Sequence, residues 1–235
     1  MSSESTDPIV GETPLPPPSG EVAALITVQD ALAERPGVRE TARGLSHFGE
    51  HSLGWIGLSA LGWAWARRRG DAVAQRRFIE AGVGSFGAHA ASVIIKRIVR
   101  RKRPHDPRII VGVSTPSKLS FPSSHATSTT AAAILLGRAA GMPRFLLPSI
   151  LVPPMLTSRL VLGVHYPSDV AAGAAIGAAS AVAVIAGDQV LERAERHPRV
   201  TRVLTRLGLA AVVPGSAARA AVPVVAAVIH NRENQ

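Results

Sequence analysis

The chain has 235 residues, of which 46% are hydrophobic and only 4% aromatic, and carries a formal net charge of +10. It contains no cysteine, which excludes disulfides, thiolate nucleophiles and Cys-based zinc sites. The positive balance suits nucleic acid, anionic lipid or a phosphorylated substrate equally, and charge alone does not choose among them.

Residues 1–20 hold Pro14, Pro16, Pro17 and Pro18 among Ser, Gly and Glu and read as a disordered tail, without the basic-then-apolar order of a secretory signal. Residues 21–44 read as a short interfacial segment, with an amphipathic helix from Glu21 to about Glu34 that stops before Pro36. Residues 45–187 read as the membrane-embedded domain. Five runs there approach the roughly 20 apolar residues that a bilayer core requires. They are Phe48–Ala66, Phe78–Ile95, Pro122–Gly141, Phe145–Val164 and Val170–Gly187. Trp63 and Trp65 suit interface anchors, and Pro148, Pro153 and Pro154 predict a kink in the fourth run. Gly173 and Gly177 have the GxxxG spacing of close helix contacts, within one chain or between copies, so a homo-oligomer stays open. Residues 188–235 form a basic C-terminal region, where Pro214 and Arg219 interrupt a candidate sixth span within Leu207–Ile229. The expected fold is an all-α, polytopic transmembrane bundle of five spans, or six, in the cell membrane, with its site at one face. The competing reading, buried helices of a soluble protein, fits the run lengths less well.

Three polar islands interrupt the apolar domain, and the order of spans brings all three to one face. The first runs from Lys96 to Pro104, with Arg97, Arg100, Arg101, Lys102 and Arg103. By itself it resembles an ordinary juxtamembrane basic cluster. The second, Phe121 to His125, opens the third span. Its free N–H groups and positive helix end suit an anion, Ser123 and Ser124 add hydroxyls, and His125 adds a titratable ring. The bland alternative is a capped helix followed by a lone histidine. The third, Ser158 to Asp169, places Arg159 near the end of an apolar run and His165 four positions before Asp169. Asp169 can orient the His165 ring or, alternatively, pair with Arg159.

Phosphoryl transfer demands positioning and cations, which Lys96, Arg103 and Arg159 supply. His165, with a carboxylate near it in sequence, is the better nucleophile, and His125 at the helix mouth the better general acid. Between Ala81 and Gly187 the only carboxylates are Asp106 and Asp169, too few for an oxygen-rich two-metal clamp, so no metal and no other cofactor is expected.

Lys96 with Arg103-Pro104, then Pro122-Ser123-Ser124-His125, then Ser158-Arg159 with His165 and Asp169, resembles the type 2 phosphatidic acid phosphatase superfamily, whose site is shared with vanadium haloperoxidases. The resemblance implies phosphate binding by Lys96, Arg103, Arg159, Ser123 and the backbone at Ser124, with His125 as acid. It implies a phosphohistidine at His165, oriented by Asp169. Ser124 stands where that family often has Gly, and a polar tail stands where many relatives have a first span. The stretches Arg43–His51, Arg103–Pro107 and Leu119–Thr130 look like a narrower group, the bacterial decaprenylphosphoryl-phosphoribose phosphatases of cell-wall arabinan precursor synthesis. That likeness adds His105 as a substrate contact. The implied partners are a lipid-phosphate substrate and membrane lipids, with no nucleic acid. Polyprenyl diphosphate, phosphatidic acid and phosphatidylglycerol phosphate present the same group to the same residues and stay open as substrates.

Other readings compete. His47-Phe48-Gly49-Glu50-His51 matches the H-x-x-E-H pattern of inverted zinc proteases. The basic run from Lys96 to Arg103 also fits a non-enzymatic module for anionic lipid or nucleic acid, although no aromatics interleave it. For sidedness, twelve Lys and Arg residues fall at each face. Setting aside Lys96, Arg103 and Arg159 leaves twelve against nine, which favours an external site.

Overall fold

A computed structural model describes residues 15–195. Most of the tail, the C-terminal region beyond Glu195 and the candidate sixth span lie outside the described residues. Those residues form seven α-helices: α1 (Gly20–Leu32), α2 (Val38–Phe48), α3 (Leu53–Arg68), α4 (Ala72–Val99), α5 (Ser124–Ala139), α6 (Leu146–Val161) and α7 (Pro167–Glu195). A 3-10 turn, Glu50–Ser52, joins α2 to α3. No strand occurs among the described residues, and the one β-feature there is an isolated antiparallel bridge between Lys102 and Leu119.

Each of the five apolar runs becomes a helix, but the helices differ in kind. α4 and α7 are long and apolar enough to cross a membrane unaided, with 18-residue stretches of mean hydropathy 1.4 within Ala72–Val99 and 2.0 within Pro167–Arg193. At 1.5 Å per residue each spans roughly 40 Å, more than the hydrocarbon core of about 30 Å. α3, α5 and α6 have 16 residues each. The helix expected from Phe48 begins only at Leu53, because His51 (φ 49°) and Ser52 (φ 65°) turn the backbone left-handed. α6 runs through Pro153 and Pro154 without losing its helical assignment.

α5 is the centre of the bundle and packs against α4, α6 and α7. Its Thr127, Ser128, Thr129, Thr130, Ala131, Ala132 and Ala133 are all buried, as small side chains allow neighbouring backbones to come close. The Gly173/Gly177 pair is used here, inside the chain. A Cβ at Gly173 would stand 2.7 Å from the Ser123 carbonyl oxygen, and one at Gly177 2.3 Å from that of Thr127. Leu58, Leu61, Ile79, Val83, Phe86, Ile94, Ile150 and Val182 instead point outward from α3, α4, α6 and α7, as lipid-facing residues do.

The segment read as an interfacial helix packs on the protein. In α1, Leu25 and Gln29 are buried, and Gln29 ties three chain segments together. Its Nε2 donates to the carbonyls of Ile110 (2.8 Å) and Val161 (3.0 Å), and its Oε1 accepts the Ile110 N–H (3.0 Å). Ala33, Ala42, Val161, Leu162 and Val164 form a second core here, which holds α1 and α2 over the loop that follows α6.

At the other end of α4, α5 and α7 the first turns of α4 meet the last turns of α5 and α7. Asp188 accepts from both Arg76 and Arg138; Arg76 also bonds Glu192, and Arg138 bonds Glu80 at 2.7 Å. The Asp188 side chain is 2% exposed.

Candidate active site

The three polar islands converge on one cavity of about 950 Å³ at the end of the bundle where α4 finishes and α5 starts. Lys96, Arg103, Ser124, His125, Arg159 and His165 line it. Their side chains are not equally available to a ligand.

Lys96, in the last turn of α4, is buried and donates to the carbonyls of Leu119 (3.1 Å), Ser120 (3.0 Å) and Pro122 (2.9 Å). An ammonium has three protons, so the expected phosphate ligand is here a clip that shapes the loop entering α5. Ser123 also differs from expectation. It is fully buried, does not line the cavity, and caps α5, with its Oγ accepting the Ala126 N–H at 3.4 Å. The next residue takes that place: half-buried Ser124 lines the cavity, its hydroxyl accepting from that of Ser92 at 2.7 Å. The Ser124 and His125 N–H groups, at the start of α5, have no helical carbonyl to bond.

Arg159 is 1% exposed, and its Nε and Nη1 have no hydrogen-bond partner among the described residues. A buried guanidinium without acceptors is costly, and an anion in the cavity would satisfy it. The alternative ion pair with Asp169 does not form; Asp169 bonds Arg101 instead. Arg103 donates through Nε to the Ser117 carbonyl (2.8 Å) and through Nη1 to that of Val164 (2.6 Å). Its Nη1 also lies 3.3 Å from His165 Nε2. A guanidinium cannot accept, so Nε2 is the acceptor and the proton of a neutral His165 sits on Nδ1. Burial lowers the Arg103 pKa to about 10, against the opposing charge of Asp169.

His165 follows a turn that requires glycine: Gly163 has φ +67°, and a Cβ there would stand 2.5 Å from the Ile110 carbonyl oxygen. The ring is 2% exposed. Burial, followed by the positive charges of Arg103, Arg159 and Lys96, holds its pKa well below the ordinary imidazole value. Asp169 Oδ2 stands 3.7 Å from Nδ1, short of a hydrogen bond, and accepts the Tyr166 N–H at 2.8 Å. Asp169 Oδ1 accepts from Arg101 at 2.9 Å. His125 Nε2 is 2.9 Å from the Ser46 carbonyl, to which it donates. Gly49 admits this approach, since a Cβ there would lie 2.9 Å from His125 Cδ2.

His105 is not brought in. It is exposed, lies outside the cavity lining, and its Nδ1 is 3.4 Å from the Arg103 carbonyl oxygen. Beside it Asp106 and Arg108 pair with each other at 2.8 Å, which holds the Asp106 pKa near 2. The zinc-protease motif also fails as a unit. α2 ends at Phe48, between its two histidines, and Glu50 approaches His47 and His51 only at 3.8 and 4.0 Å.

The structure adds residues that sequence reasoning passed over. Arg101, read only as part of a basic run, holds Asp169, stacks on Tyr166 at 4.1 Å and bonds Glu21 of α1. Glu21 also accepts the Ser168 N–H at 2.8 Å. Arg43, His47, Glu50, His51 and His89 line the same cavity. The stretch Arg43–His51, marked by its resemblance and by the H-x-x-E-H pattern within it, carries the sequence signal for all of these but His89.

Residues 78–192 match the PAP2 superfamily. The chain is 60% identical over 161 residues to decaprenylphosphoryl-5-phosphoribose phosphatase of Mycobacterium tuberculosis, covering 68% of this chain and 86% of that one. It is 58% identical over 156 residues to the enzyme of the same name from Mycolicibacterium smegmatis, covering 66% and 82%. In fold it is similar to a transmembrane PAP2-type phosphatidylglycerolphosphate phosphatase from Bacillus subtilis, with a TM-score of 0.54, 20% identity and 71% and 85% of the two chains covered. It is also similar to a bacterial vanadium-dependent iodoperoxidase, with a TM-score of 0.56, 18% identity and 73% and 52% covered. Identity of that order to two phosphatases fixes the assignment: the chain belongs to the PAP2 superfamily and is a metal-independent membrane phosphatase.

Proposed function

We propose that the chain removes the 5-phosphate of a decaprenylphosphoryl phosphoribose by way of a phosphohistidine at His165. The observation that carries this reading is the identity to the two mycobacterial phosphoribose phosphatases, joined to the placement of His165 Nε2 3.3 Å from Arg103 Nη1 in an arginine-lined cavity. A cavity of about 950 Å³ exceeds the needs of a lone phosphate and suits a sugar phosphate.

The Nε2 lone pair attacks phosphorus while the bond to the sugar oxygen breaks. The leaving oxygen takes a proton from His125 in its imidazolium form, whose Nε2–H exchanges the Ser46 carbonyl for that oxygen and which is left as a neutral imidazole. Arg103, Arg159 and the N–H groups opening α5 bind the equatorial oxygens, and Lys96 contributes charge and loop shape. Water then attacks the phosphohistidine, returning a proton to His125 and releasing His165. Asp169, held by Arg101, balances the charge that forms on the His165 ring.

The test is phosphate release by the detergent-purified protein, in EDTA, from synthetic polyprenylphosphoryl-5-phosphoribose, phosphatidic acid, phosphatidylglycerol phosphate and polyprenyl diphosphate. The phosphoribose lipid is expected to give the highest kcat/KM. A higher value for any other lipid overturns the substrate.

The same reading has five membrane crossings, α3 to α7, with the cavity at the external face. With Lys96, Arg103 and Arg159 set aside, the twelve Lys and Arg at the opposite face against nine here support this orientation. Because the chain has no cysteine, Ser114→Cys at an exposed position lining the cavity gives a single label site. Labelling by an impermeant maleimide in intact cells is the expected result, and protection until permeabilisation reverses the orientation.

A further inference from the structure

Among the described residues, Glu50 is the one carboxylate lining the cavity. The same chamber carries Lys96, Arg103 and Arg159, so a carboxylate there repels the phosphate that the others attract. Its placement requires a different partner. A carboxylate only accepts hydrogen bonds, and a neutral ligand that satisfies both oxygens is a pair of hydroxyls on adjacent carbons.

The surroundings of Glu50 leave its oxygens open to such a ligand. His47 Nδ1 and His51 Nδ1, at 3.8 and 4.0 Å, are beyond hydrogen-bond reach. His89, two turns before Lys96 on α4, lines the cavity, and its Nδ1 is buried with no partner among the described residues. The His51 and His89 ring centroids are 5.8 Å apart. Reaching that arrangement takes two successive non-glycine residues with positive φ, His51 and Ser52, a conformation that persists only where the surroundings impose it. Through Ser46 and Gly49 the same segment abuts His125, so a group bound by Glu50 stands next to the phosphate site.

We propose that Glu50, His51 and His89 form a pentose-binding wall, in which Glu50 accepts from the vicinal hydroxyls and the two imidazoles bond the ring's remaining oxygens. This assignment rests on the phosphoribose reading above. It gives the H-x-x-E-H segment a role that zinc chemistry does not. The rival role for Glu50 is a counter-charge to Arg159, with which it interacts electrostatically. That role is indifferent to the sugar.

The deciding experiment compares kcat/KM for farnesylphosphoryl-5-phosphoribose and its 2-deoxyribose counterpart, with phosphatidic acid as a sugar-free substrate. The parent enzyme is expected to favour ribose over 2-deoxyribose by roughly 10- to 100-fold, the range of one hydrogen bond to a charged group. Glu50→Gln, nearly isosteric, is expected to shrink that ratio several-fold, and Glu50→Ala to bring it close to one. His51→Asn, which tolerates the left-handed backbone, is expected to reduce it too. A parent that cleaves both pentose lipids equally well overturns the wall, as does a Glu50→Ala enzyme that keeps the parent's ratio. Equal losses on ribose, deoxyribose and phosphatidic acid assign Glu50 to Arg159 instead. A parent that cleaves phosphatidic acid but neither pentose lipid overturns the substrate reading, and this inference with it.

Discussion

Replacing His165 with Gln is expected to lower turnover by roughly 10⁴-fold or more, since the group that would form the covalent bond is removed while the cationic cavity remains. Parent enzyme quenched in denaturant is expected to carry an acid-labile, alkali-stable phosphoryl group that His165→Gln lacks. Turnover above one-hundredth of the parent's by the variant would remove His165 from the role. The pH profile tests the same assignment through electrostatics. Nε2 attacks only when unprotonated, and burial with the positive charges of Arg103, Arg159 and Lys96 holds its pKa well below the ordinary value. The free base therefore persists at neutral pH, and activity falls on the acid side only as pH descends to that lowered pKa. Arg103→Gln removes one of those charges, so the pKa rises and the acid limb of kcat/KM moves to higher pH. The substrate's own second ionisation is common to both enzymes, so the difference belongs to the protein. His125 separates from His165 by leaving group: His125→Asn is expected to lose far more activity on an alkyl phosphate than on p-nitrophenyl phosphate, whose leaving oxygen needs no proton.

What could be read in the sequence was whatever depends on helix ends and short spacing. Lys96, His125, Arg159 and His165 meet because each lies at, or just beyond, an end of an apolar helix, and those ends are visible as hydropathy boundaries. Which of two adjacent serines faces the cavity was not visible, because it depends on which one caps α5; the structure gives that place to Ser123 and the lining to Ser124. The role of Lys96 as a clip was hidden for a related reason, since its acceptors are carbonyls 23 to 26 residues away. The helix α1 is legible, but its packing on the protein is the largest omission. Gln29 and Glu21 bond partners between 80 and 147 residues distant, and no local pattern marks such contacts. His105 was drawn in by the likeness of its neighbours, yet the Asp106–Arg108 pair keeps that turn at the surface. A count of arginines treated Arg76 and Arg138 as markers of sidedness and missed the carboxylates that bind them.

Those two arginines lead to a second large effect, at the end of the bundle away from the cavity. Asp188→Asn is expected to destabilise the protein by about 3–5 kcal/mol, because Asp188 is buried and both Arg76 and Arg138 would lose a charged acceptor. For a domain of this size the melting temperature in detergent should fall by roughly 6–20 °C. The consequence reaches the chemistry through topology. The three helices pinned by Asp188 carry Lys96, Ser124 with His125, and Asp169 at their other ends, so the network sets their relative heights. Below its own melting temperature, Asp188→Asn should therefore also lower kcat, although the network itself touches neither the cavity nor its lining. An apolar quadruple variant, Arg76→Met with Arg138→Met, Glu80→Gln and Asp188→Leu, should recover much of the lost stability, because the half-buried Glu192 is then the one charge of the network left without its partner. A single variant that melts within 2 °C of the parent would show that the charges are solvated and that apolar packing around α5 alone holds the three helices in register.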